Sequence, residues 1–324
     1  MDIFQSRKAF KPYEYPEVTK FVDAINHSYW LHSELNFISD VQDFKTKLTK
    51  EEKFCIHKTL LAISQIEVKV KSFWSKLYTY IPKPEIAAVG ATFSESEVRH
   101  ERAYSHLLEL LGLNNSFHDL LKVPEINNRL DYLNKYLEEE YKNDKRQFAL
   151  SLALFTIFVE NVSLFSQFAI IMSFSRHKNV LKDISNIVEW TSKEELLHGQ
   201  FGIYLLNIIK NEHQSWFNDI YYDKIYLAAE KAIKAEEGIL KWIISDGCPD
   251  FINLESLINF VKNRINESLV SIGCLKTFEI DQESLKNLRW FNEEIYSGKQ
   301  SDFFYKRPVE YSKKNKSIQE EDLF

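Results

Sequence analysis

The sequence predicts an all-α protein built from long helices. Only 8 glycines and 7 prolines occur in 324 residues, so few positions favour a break in a helix. Apolar residues recur at helical spacing over long stretches, and no stretch shows the sustained apolar–polar alternation of a β-strand. Aromatic residues make up 14% of the chain, enough to fill a large core. We expect a helical bundle over residues 1–296 and a polar, disordered tail over residues 297–324.

The helices can be placed by their start and stop signals. The first 30 residues are expected to be irregular, apart from a short amphipathic stretch that ends at Trp30. Thr49, followed by Glu51 and Glu52, predicts an N-cap with acidic residues in the first turn, and the helix it opens should stop before Pro82. Helices are predicted over residues 49–80, 85–111, 130–143, 146–177, 180–211, 216–246 and 254–273.

Charge, cysteines and hydropathy limit the class of protein. The net charge of −6 gives no electrostatic reason to expect nucleic-acid binding. The three cysteines lack a Cys-x-x-Cys motif and, with no signal peptide expected, favour a reducing cytoplasm. The apolar stretch 148–174 approaches the length of a membrane span, but Glu160, Asn161 and Gln167 interrupt it. We therefore expect a buried core helix there, and no membrane partner.

Two Glu-x-x-His motifs are the main indication of chemistry. They are Glu97-Val98-Arg99-His100 and Glu195-Leu196-Leu197-His198, each inside a predicted long helix. At positions i and i+3, a carboxylate and an imidazole project from the same face of a helix. One copy would be weak evidence, but two copies that face each other across a bundle would supply ligands for metal ions.

Each motif follows a further glutamate in an apolar helix. Glu67 precedes Glu97 by 30 residues, and Glu160 precedes Glu195 by 35 residues. An unpaired carboxylate is costly to bury, and a bound dication removes that cost. Together the four carboxylates and two imidazoles suit a pair of iron or manganese ions, which is how ferritin-like dimetal carboxylate proteins build their site. The predicted fold is therefore a ferritin-like helical bundle with a dimetal carboxylate site in its core.

From Trp30 to the C-terminal tail, the chain resembles the small (radical-generating, or β) subunit of class I ribonucleotide reductase. Six residues match the metal ligands of that family in order and with similar spacing: Glu67, Glu97, His100, Glu160, Glu195 and His198. The first ligand is Asp in most of the family and Glu here. The resemblance implies a redox role with a homodimeric small subunit and a separate large (α) subunit, on which ribonucleotides are reduced.

The resemblance also implies roles for aromatic residues. Tyr104 occupies the position of the radical tyrosine, and Phe168 matches an apolar residue that shields it. Trp30 matches a tryptophan that carries oxidising equivalents towards the surface. In the family that tryptophan connects to a histidine ligand through an acidic residue, which is usually Asp and is Glu194 here.

In the tail, the resemblance implies radical relay and docking. Tyr311 is the candidate that relays the radical to the large subunit, and Tyr305 is its rival. The chain ends in an acidic stretch with an apolar anchor, which resembles the docking peptide of the family: Asp322, Leu323 and Phe324.

The nature of the oxidant is left open between two readings. The presence of Tyr104 points to a tyrosyl radical beside a diiron or dimanganese centre. Lys71, four residues after Glu67 and so on the same helix face, could bind a ligand carboxylate or attract an anionic oxidant. Glu67 together with Lys71 resembles subclass Id, in which superoxide activates two manganese ions and a Mn(IV)/Mn(III) centre is the oxidant.

We favour the subclass Id reading, with two iron ions or a mixed Mn/Fe pair as alternatives. A dimetal oxidase or oxygenase of the ferritin-like superfamily would use the same ligands, but it would not need Trp30, Tyr104 and a docking tail together.

Overall fold

The computed structural model describes residues 2–9, 11–137 and 144–300. The predicted tail residues Tyr305, Tyr311, Asp322, Leu323 and Phe324 lie outside the described residues. The helices are α1 (Thr19–His27), α2 (Ile38–Thr46), α3 (Lys50–Ser75), α4 (Leu77–Tyr80), α5 (Pro84–Leu110), α6 (Asn114–Asp119), α7 (Pro124–Leu137), α8 (Lys145–Leu154), α9 (Phe165–Lys178), α10 (Lys182–Glu212), α11 (Asp219–Ile243), α12 (Leu254–Ser271), α13 (Gln282–Leu285) and α14 (Arg289–Gln300).

The all-α prediction is confirmed, since the described part of the chain contains helices and no strand. Thr49 is the N-cap of α3: its hydroxyl accepts from the Glu52 backbone N–H, and the Glu52 carboxylate accepts from the Thr49 N–H. The predicted helix over 49–80 is divided at Lys76 into α3 and α4. The helix predicted over 130–143 begins earlier, with Pro124 at its first position, where a proline is tolerated.

Four long helical segments enclose the core. Helix α3 packs against α5 and α9, and α10 packs against α5, α8 and α9. Around this bundle, α11 contacts α3, α7 and α12, while α1 crosses α5 and α10. This ferritin-like arrangement brings the middle turns of the four segments together, away from solvent.

The apolar stretch 146–177 is not the single continuous α-helix that was predicted. Helix α8 passes into a π-helical turn over Phe155–Glu160, and α9 begins only at Phe165. The region Lys145–Lys178 has the length and mean hydropathy (1.9) of a membrane span, but its most apolar window is entirely buried inside the bundle. The region is the buried core segment that the sequence predicted, but the sequence did not predict its π-helical turn and the break before α9.

The start of α10 is fixed by three aspartates. Leu181, the N-cap residue, has a left-handed backbone (φ 58°). The Asp40 and Asp43 carboxylates of α2 accept from the backbone N–H groups of Ile184 (2.7 Å) and Leu181 (3.4 Å), and Asp183 accepts from Phe37 (3.2 Å). Burial raises the pKa of Asp40 to about 6; the Ile184 hydrogen bond opposes this, and the nearby charges of Asp183 and Asp43 add to it.

We expect Asp40→Asn to stabilise the protein at neutral pH and to have little effect near pH 4. The folded-state pKa lies above the ordinary value, so the folded protein binds this proton more tightly, and its stabilising contribution is lost as the pH rises from about 4 to 6. The amide oxygen can still accept from Ile184, so the gain at pH 7.5 should be about 2 kcal/mol. Urea unfolding at pH 4.5 and 7.5 measures it, with the exposed Asp23→Asn as control. Equal destabilisation at both pH values would show instead that α10 requires the anion.

Candidate metal centre

The six predicted ligands converge in the centre of the bundle. Glu67 is on α3, Glu97 and His100 on α5, Glu160 at the end of the π-helical turn, and Glu195 and His198 on α10; all are at most 1% exposed. They form two overlapping groups, Glu67/Glu97/His100/Glu195 and Glu97/Glu160/Glu195/His198, in each of which the ligand atoms lie within 4.8 Å of one another. Glu97 and Glu195 belong to both groups. This is the geometry of two adjacent cation positions that share two carboxylates.

Both imidazoles present Nδ1 to the carboxylates. The His100 Nδ1 lies 3.3 Å from Glu97, 3.2 Å from Glu195 and 3.9 Å from Glu67. The His198 Nδ1 lies 2.9 Å from Glu97, 3.3 Å from Glu195 and 3.5 Å from Glu160. One histidine therefore faces each of the two groups.

The other nitrogen of each imidazole is held by a partner outside the ligand set. The His100 Nε2 is 2.8 Å from the Glu194 carboxylate, which accepts its hydrogen. The His198 Nε2 is 2.9 Å from the Ser96 hydroxyl, which in turn donates to the Phe93 carbonyl. Such partners fix the ring and its tautomer, so that Nδ1 is free to bind a metal. Sequence analysis missed Ser96, although it directly precedes Glu97.

The ligand atoms lack other partners among the described residues. Both oxygens of Glu67 and one oxygen each of Glu97, Glu160 and Glu195 are buried without a hydrogen bond, as is the His198 Nδ1. Buried polar atoms are normally satisfied, and leaving several unpaired in one place is costly. Four carboxylates balance the charge of two dications, and oxygen donors with two nitrogens suit iron or manganese. The residues present therefore fit a pair of such ions.

The pKa values of the cluster residues are also consistent with a site for two metal ions. Burial raises the pKa of Glu67 and of Glu160 well above the usual value for a carboxyl group. Burial alone would lower the pKa of His100 and His198, but the carboxylates close to the two imidazoles raise both pKa values well above the ordinary value. Without metal, the cluster retains protons that bound dications would displace.

A tryptophan holds the second oxygen of Glu160. The Trp74 indole N–H donates to Glu160 Oε1 at 2.9 Å, and the ring is 1% exposed. Trp74 follows Glu67 by seven residues, so it lies two turns along the same face of α3. The spacing could have indicated Trp74, but only the helix packing shows which carboxylate it reaches.

Glycines on α10 let the π-helical turn approach closely. A Cβ atom at Gly202 would lie 2.9 Å from Thr156 Cβ and nearer still to its hydroxyl, and one at Gly199 would lie 2.7 Å from Asn161 Cγ. Because Gly199 and Gly202 lie one and four residues after His198, the segment that carries Glu160 can reach the second ion position. The π-helical turn and these glycines together place this ligand.

Two buried arginines stabilise the end of that segment. The Arg264 Nε donates to the Asn161 carbonyl at 2.6 Å, and Arg129 donates to the Ser163 carbonyl. Arg129 is neutralised by the buried Glu236, 3.0 Å away. These side chains bind carbonyl groups at the helix break, where the regular hydrogen bonds of a helix are interrupted.

We expect Gly202→Ala to destabilise the protein by about 1–3 kcal/mol, because the new methyl group overlaps Thr156. Gly238→Ala in α11 is the matched control: its nearest neighbour would be 3.8 Å away, so it should stabilise the helix by about 0.5–1 kcal/mol. Adding Thr156→Ala should recover part of the loss at position 202. Thermal unfolding of the unmodified protein and these three variants measures the effect; a Gly202→Ala protein as stable as the Gly238→Ala control would contradict the close approach.

Tyr104 lies one turn beyond His100 on α5 and is 1% exposed. Its hydroxyl makes no hydrogen bond to a carboxylate of the described residues. Burial raises the pKa of Tyr104, the negative charge of Glu67 raises it further, and the Thr191 hydroxyl opposes these effects. Phe168 is fully buried on α9 and packs edge-on against Phe165, with ring centroids 5.6 Å apart.

Trp30 contacts the cluster directly. Its ring is 3% exposed and stacks on His100, with centroids 5.8 Å apart and an interplanar angle of 13°. Glu194 accepts from His100, as the resemblance implied, but it does not bind the Trp30 indole N–H, which is buried without a partner among the described residues. Instead, Arg99 donates to both Glu194 oxygens, at 3.1 and 3.3 Å.

Lys71 does not bind a ligand carboxylate in this structure. Its ammonium group pairs with Glu101 on α5, and its side chain is 30% exposed. Lys71 is therefore partly exposed, and its charge is paired with that of Glu101.

Removing a shared ligand should affect metal binding more than removing an unshared one. We expect two ions per chain for the unmodified protein, about one for Glu67→Gln, and fewer than one for Glu97→Gln, because Glu97 faces both positions. Elemental analysis after manganese or iron loading and desalting measures this, with Glu101→Gln as control. Equal losses for the Glu67 and Glu97 variants would contradict a shared carboxylate.

The chain is similar in sequence and in fold to known proteins. The sequence profile of the family described as "Ribonucleotide reductase, small chain" matches residues 7–285. The chain therefore belongs to the ribonucleotide reductase small chain family, whose members are oxidoreductase subunits that work with a large subunit. A relative in Invertebrate iridescent virus 3, named "Probable ribonucleoside-diphosphate reductase small subunit 048L", is 24% identical over 326 residues, which cover 96% of this chain and 86% of the relative.

Solved structures share the fold. The ribonucleotide reductase R2 subunit from Clostridium botulinum matches with a TM-score of 0.74 at 16% identity, over 87% of this chain and 89% of that one. The Streptococcus sanguinis dimanganese(II)-NrdF structure matches with a TM-score of 0.70 at 15% identity, over 91% and 99%. A variant of an R2-like ligand-binding oxidase with a Mn/Fe cofactor matches with a TM-score of 0.71 at 18% identity, over 84% and 99%. These neighbours include both dimanganese and Mn/Fe proteins.

Proposed function

We propose that this small subunit makes and holds a one-electron oxidant for the reduction of ribonucleotides to deoxyribonucleotides, using two metal ions bound by the six converging residues. The observation that carries the proposal is the set of unpaired, buried ligand atoms in two groups that share Glu97 and Glu195. When bound, the metal ions supply the redox chemistry that protein side chains lack.

The protein residues would bind the metal ions, orient the ligands and exclude water. Glu67 and His100 would hold one ion, Glu160 and His198 the other, and Glu97 and Glu195 both. Three further side chains fix these ligands: Glu194 orients His100, Ser96 orients His198, and Trp74 holds Glu160. The nearly complete burial of the cluster keeps solvent from a strong oxidant.

We favour two manganese ions activated by superoxide, as in subclass Id, with the oxidant stored on the metals. Oxidising a tyrosine to a neutral radical releases its hydroxyl proton, and the Tyr104 hydroxyl is hydrogen-bonded to no carboxylate of the described residues. Glu67 in place of the usual Asp supports the same reading. Lys71 pairs with Glu101 and binds no ligand carboxylate, so its part in this reading rests on the resemblance to subclass Id alone.

Transfer to the large subunit would use Trp30 and the tail. Trp30 stacks on His100 and so lies next to a proposed ligand. Beyond the described residues, we propose that Tyr311 (or Tyr305) relays the oxidising equivalent, and that Asp322, Leu323 and Phe324 dock the 297–324 tail on the large subunit of a cytoplasmic enzyme whose small subunit is a homodimer.

Metal loading with EPR spectroscopy tests the proposal. The protein is loaded separately with Mn(II) and Fe(II), exposed to oxygen or superoxide, and assayed for ribonucleotide reduction with a large subunit. We expect activity only with manganese and superoxide, together with a coupled Mn(IV)/Mn(III) signal that Tyr104→Phe leaves unchanged, because the oxidant does not reside on the phenol. Phe168→Leu serves as a packing control next to the same core.

Three outcomes would contradict parts of this proposal. A tyrosyl radical that disappears in Tyr104→Phe would place the oxidant on Tyr104 and favour the tyrosyl-radical alternative. Binding and activity that survive deletion of Asp322–Phe324 would count against docking through the tail. No reduction with any metal or large subunit, but oxidation of a small apolar ligand, would assign the chain to the dimetal oxidases.

A further inference from the structure

An arginine separates the two partners that the family resemblance joins. Arg99, between Glu97 and His100 in the first motif, has a side chain that is 4% exposed. Its Nη1 donates to both oxygens of the buried Glu194, and its Nε donates to Glu95 at 3.0 and 3.2 Å. Lys193, next to Glu194 in sequence, pairs with Glu189 instead. Arg99 therefore forms an ion pair with Glu194, beside the His100 imidazole.

The same guanidinium group lies over aromatic rings. Its central carbon is 5.5 Å from the centre of the Trp30 ring and 4.6 Å from that of Tyr29. Arg99 and His100 both donate to the Glu194 oxygens, while the Trp30 indole N–H has no acceptor among the described residues. The contact between Trp30 and the metal cluster is the ring stack on His100.

We propose that Arg99 is a positioning residue for electron transfer between Trp30 and the metal centre, a proposal that rests on the function proposed above. By binding Glu194 it directs the contact through the His100 ring stack instead of a carboxylate bridge. When Trp30 gives one electron to the oxidised centre, its indole keeps the N–H proton, since no base contacts it. The resulting radical cation is disfavoured by the nearby guanidinium charge, so Arg99 makes Trp30 harder to oxidise.

This arrangement would protect the stored oxidant. In the absence of the large subunit, no partner returns an electron to an oxidised Trp30. The oxidising equivalent is then lost to side reactions at the surface. Trp190, whose ring is 5.6 Å from Trp30, is partly exposed and offers such an outlet. A cation over Trp30 keeps the oxidising equivalent in the cluster until the partner is present.

The first test uses the full-length chain without metal. In ¹H–¹⁵N spectra of the six tryptophan indoles, the Trp30 signal is assigned by its loss in Trp30→Phe. We expect Arg99→Met to shift that signal downfield, because Glu194 becomes free to accept from the indole N–H. Arg102→Gln, an exposed arginine on the same helix, should leave it unchanged. An unshifted signal in Arg99→Met would overturn the claim that Arg99 keeps Glu194 from Trp30.

The second test measures the lifetime of the oxidised centre by EPR in the absence of the large subunit. We expect a several-fold shorter lifetime in Arg99→Met, little change in Arg99→Lys, which keeps the charge, and recovery of the lifetime in Arg99→Met/Trp30→Phe. A lifetime that is unchanged in Arg99→Met, or shortened but not recovered by Trp30→Phe, would overturn the proposal. If Arg99→Met does not fold, Arg99→Met/Glu194→Gln removes both charges, and the same comparison with Trp30→Phe applies.

The two tests separate this proposal from the function on which it rests. If the unmodified protein forms no oxidised centre and supports no reduction, the proposed function fails, while the indole spectrum still decides whether Arg99 keeps Glu194 from Trp30. If the unmodified protein is active but neither Arg99 measurement changes, only the proposal for Arg99 fails.

Discussion

Four carboxylates buried in the middle of a helical bundle are the constraint on which the rest of the structure depends. Taken alone, such a cluster opposes folding, because several of its oxygens have no hydrogen-bond donor and repel one another. Bound cations remove that opposition only if every ligand is held in place. The surrounding residues hold the ligands in place. Glu194 and Ser96 bind the imidazoles, Trp74 binds Glu160, and buried arginines bind the backbone that follows Glu160. The protein therefore surrounds a locally unfavourable centre with residues that hold the ligands by hydrogen bonds and with an apolar core.

Much of this arrangement could be predicted from local sequence. The i, i+3 pairs Glu97/His100 and Glu195/His198 must share a helix face whatever the tertiary fold, and the scarcity of glycine and proline predicts long helices. Because the ligands lie in the middle of helices, an error of a few residues at a helix end does not move them. For this reason the predicted ligand set converges in space, although the division between α3 and α4 at Lys76 was not predicted and the predicted start of α7 was wrong.

The remainder depends on contacts between segments that are distant in sequence. Nothing in the apolar sequence around Phe155–Glu160 predicts that this segment forms a π-helical turn. It is fitted to the glycines of α10 and to Arg264 of α12. Lys71 lies four residues after Glu67 on α3 and so shares its helix face. A long, flexible side chain can nevertheless reach several carboxylates, and that of Lys71 pairs with Glu101. The contact between Arg99 and Glu194 was missed for the same reason: a motif specifies which residues share a helix face, but not which charged group on another helix each of them contacts.

The π-helical turn has a consequence for how such a site can arise or be lost. A π-turn accommodates one more residue than an α-turn, so it is equivalent to a single-residue insertion in the helix formed by α8 and α9. Deleting one residue there would restore a regular α-helix and rotate Glu160 by about 100° relative to α8. The carboxylate would then point into the apolar surroundings, and one cation position would be left with three ligands. A one-codon deletion could thus convert a two-ion protein into a one-ion protein without changing any ligand residue.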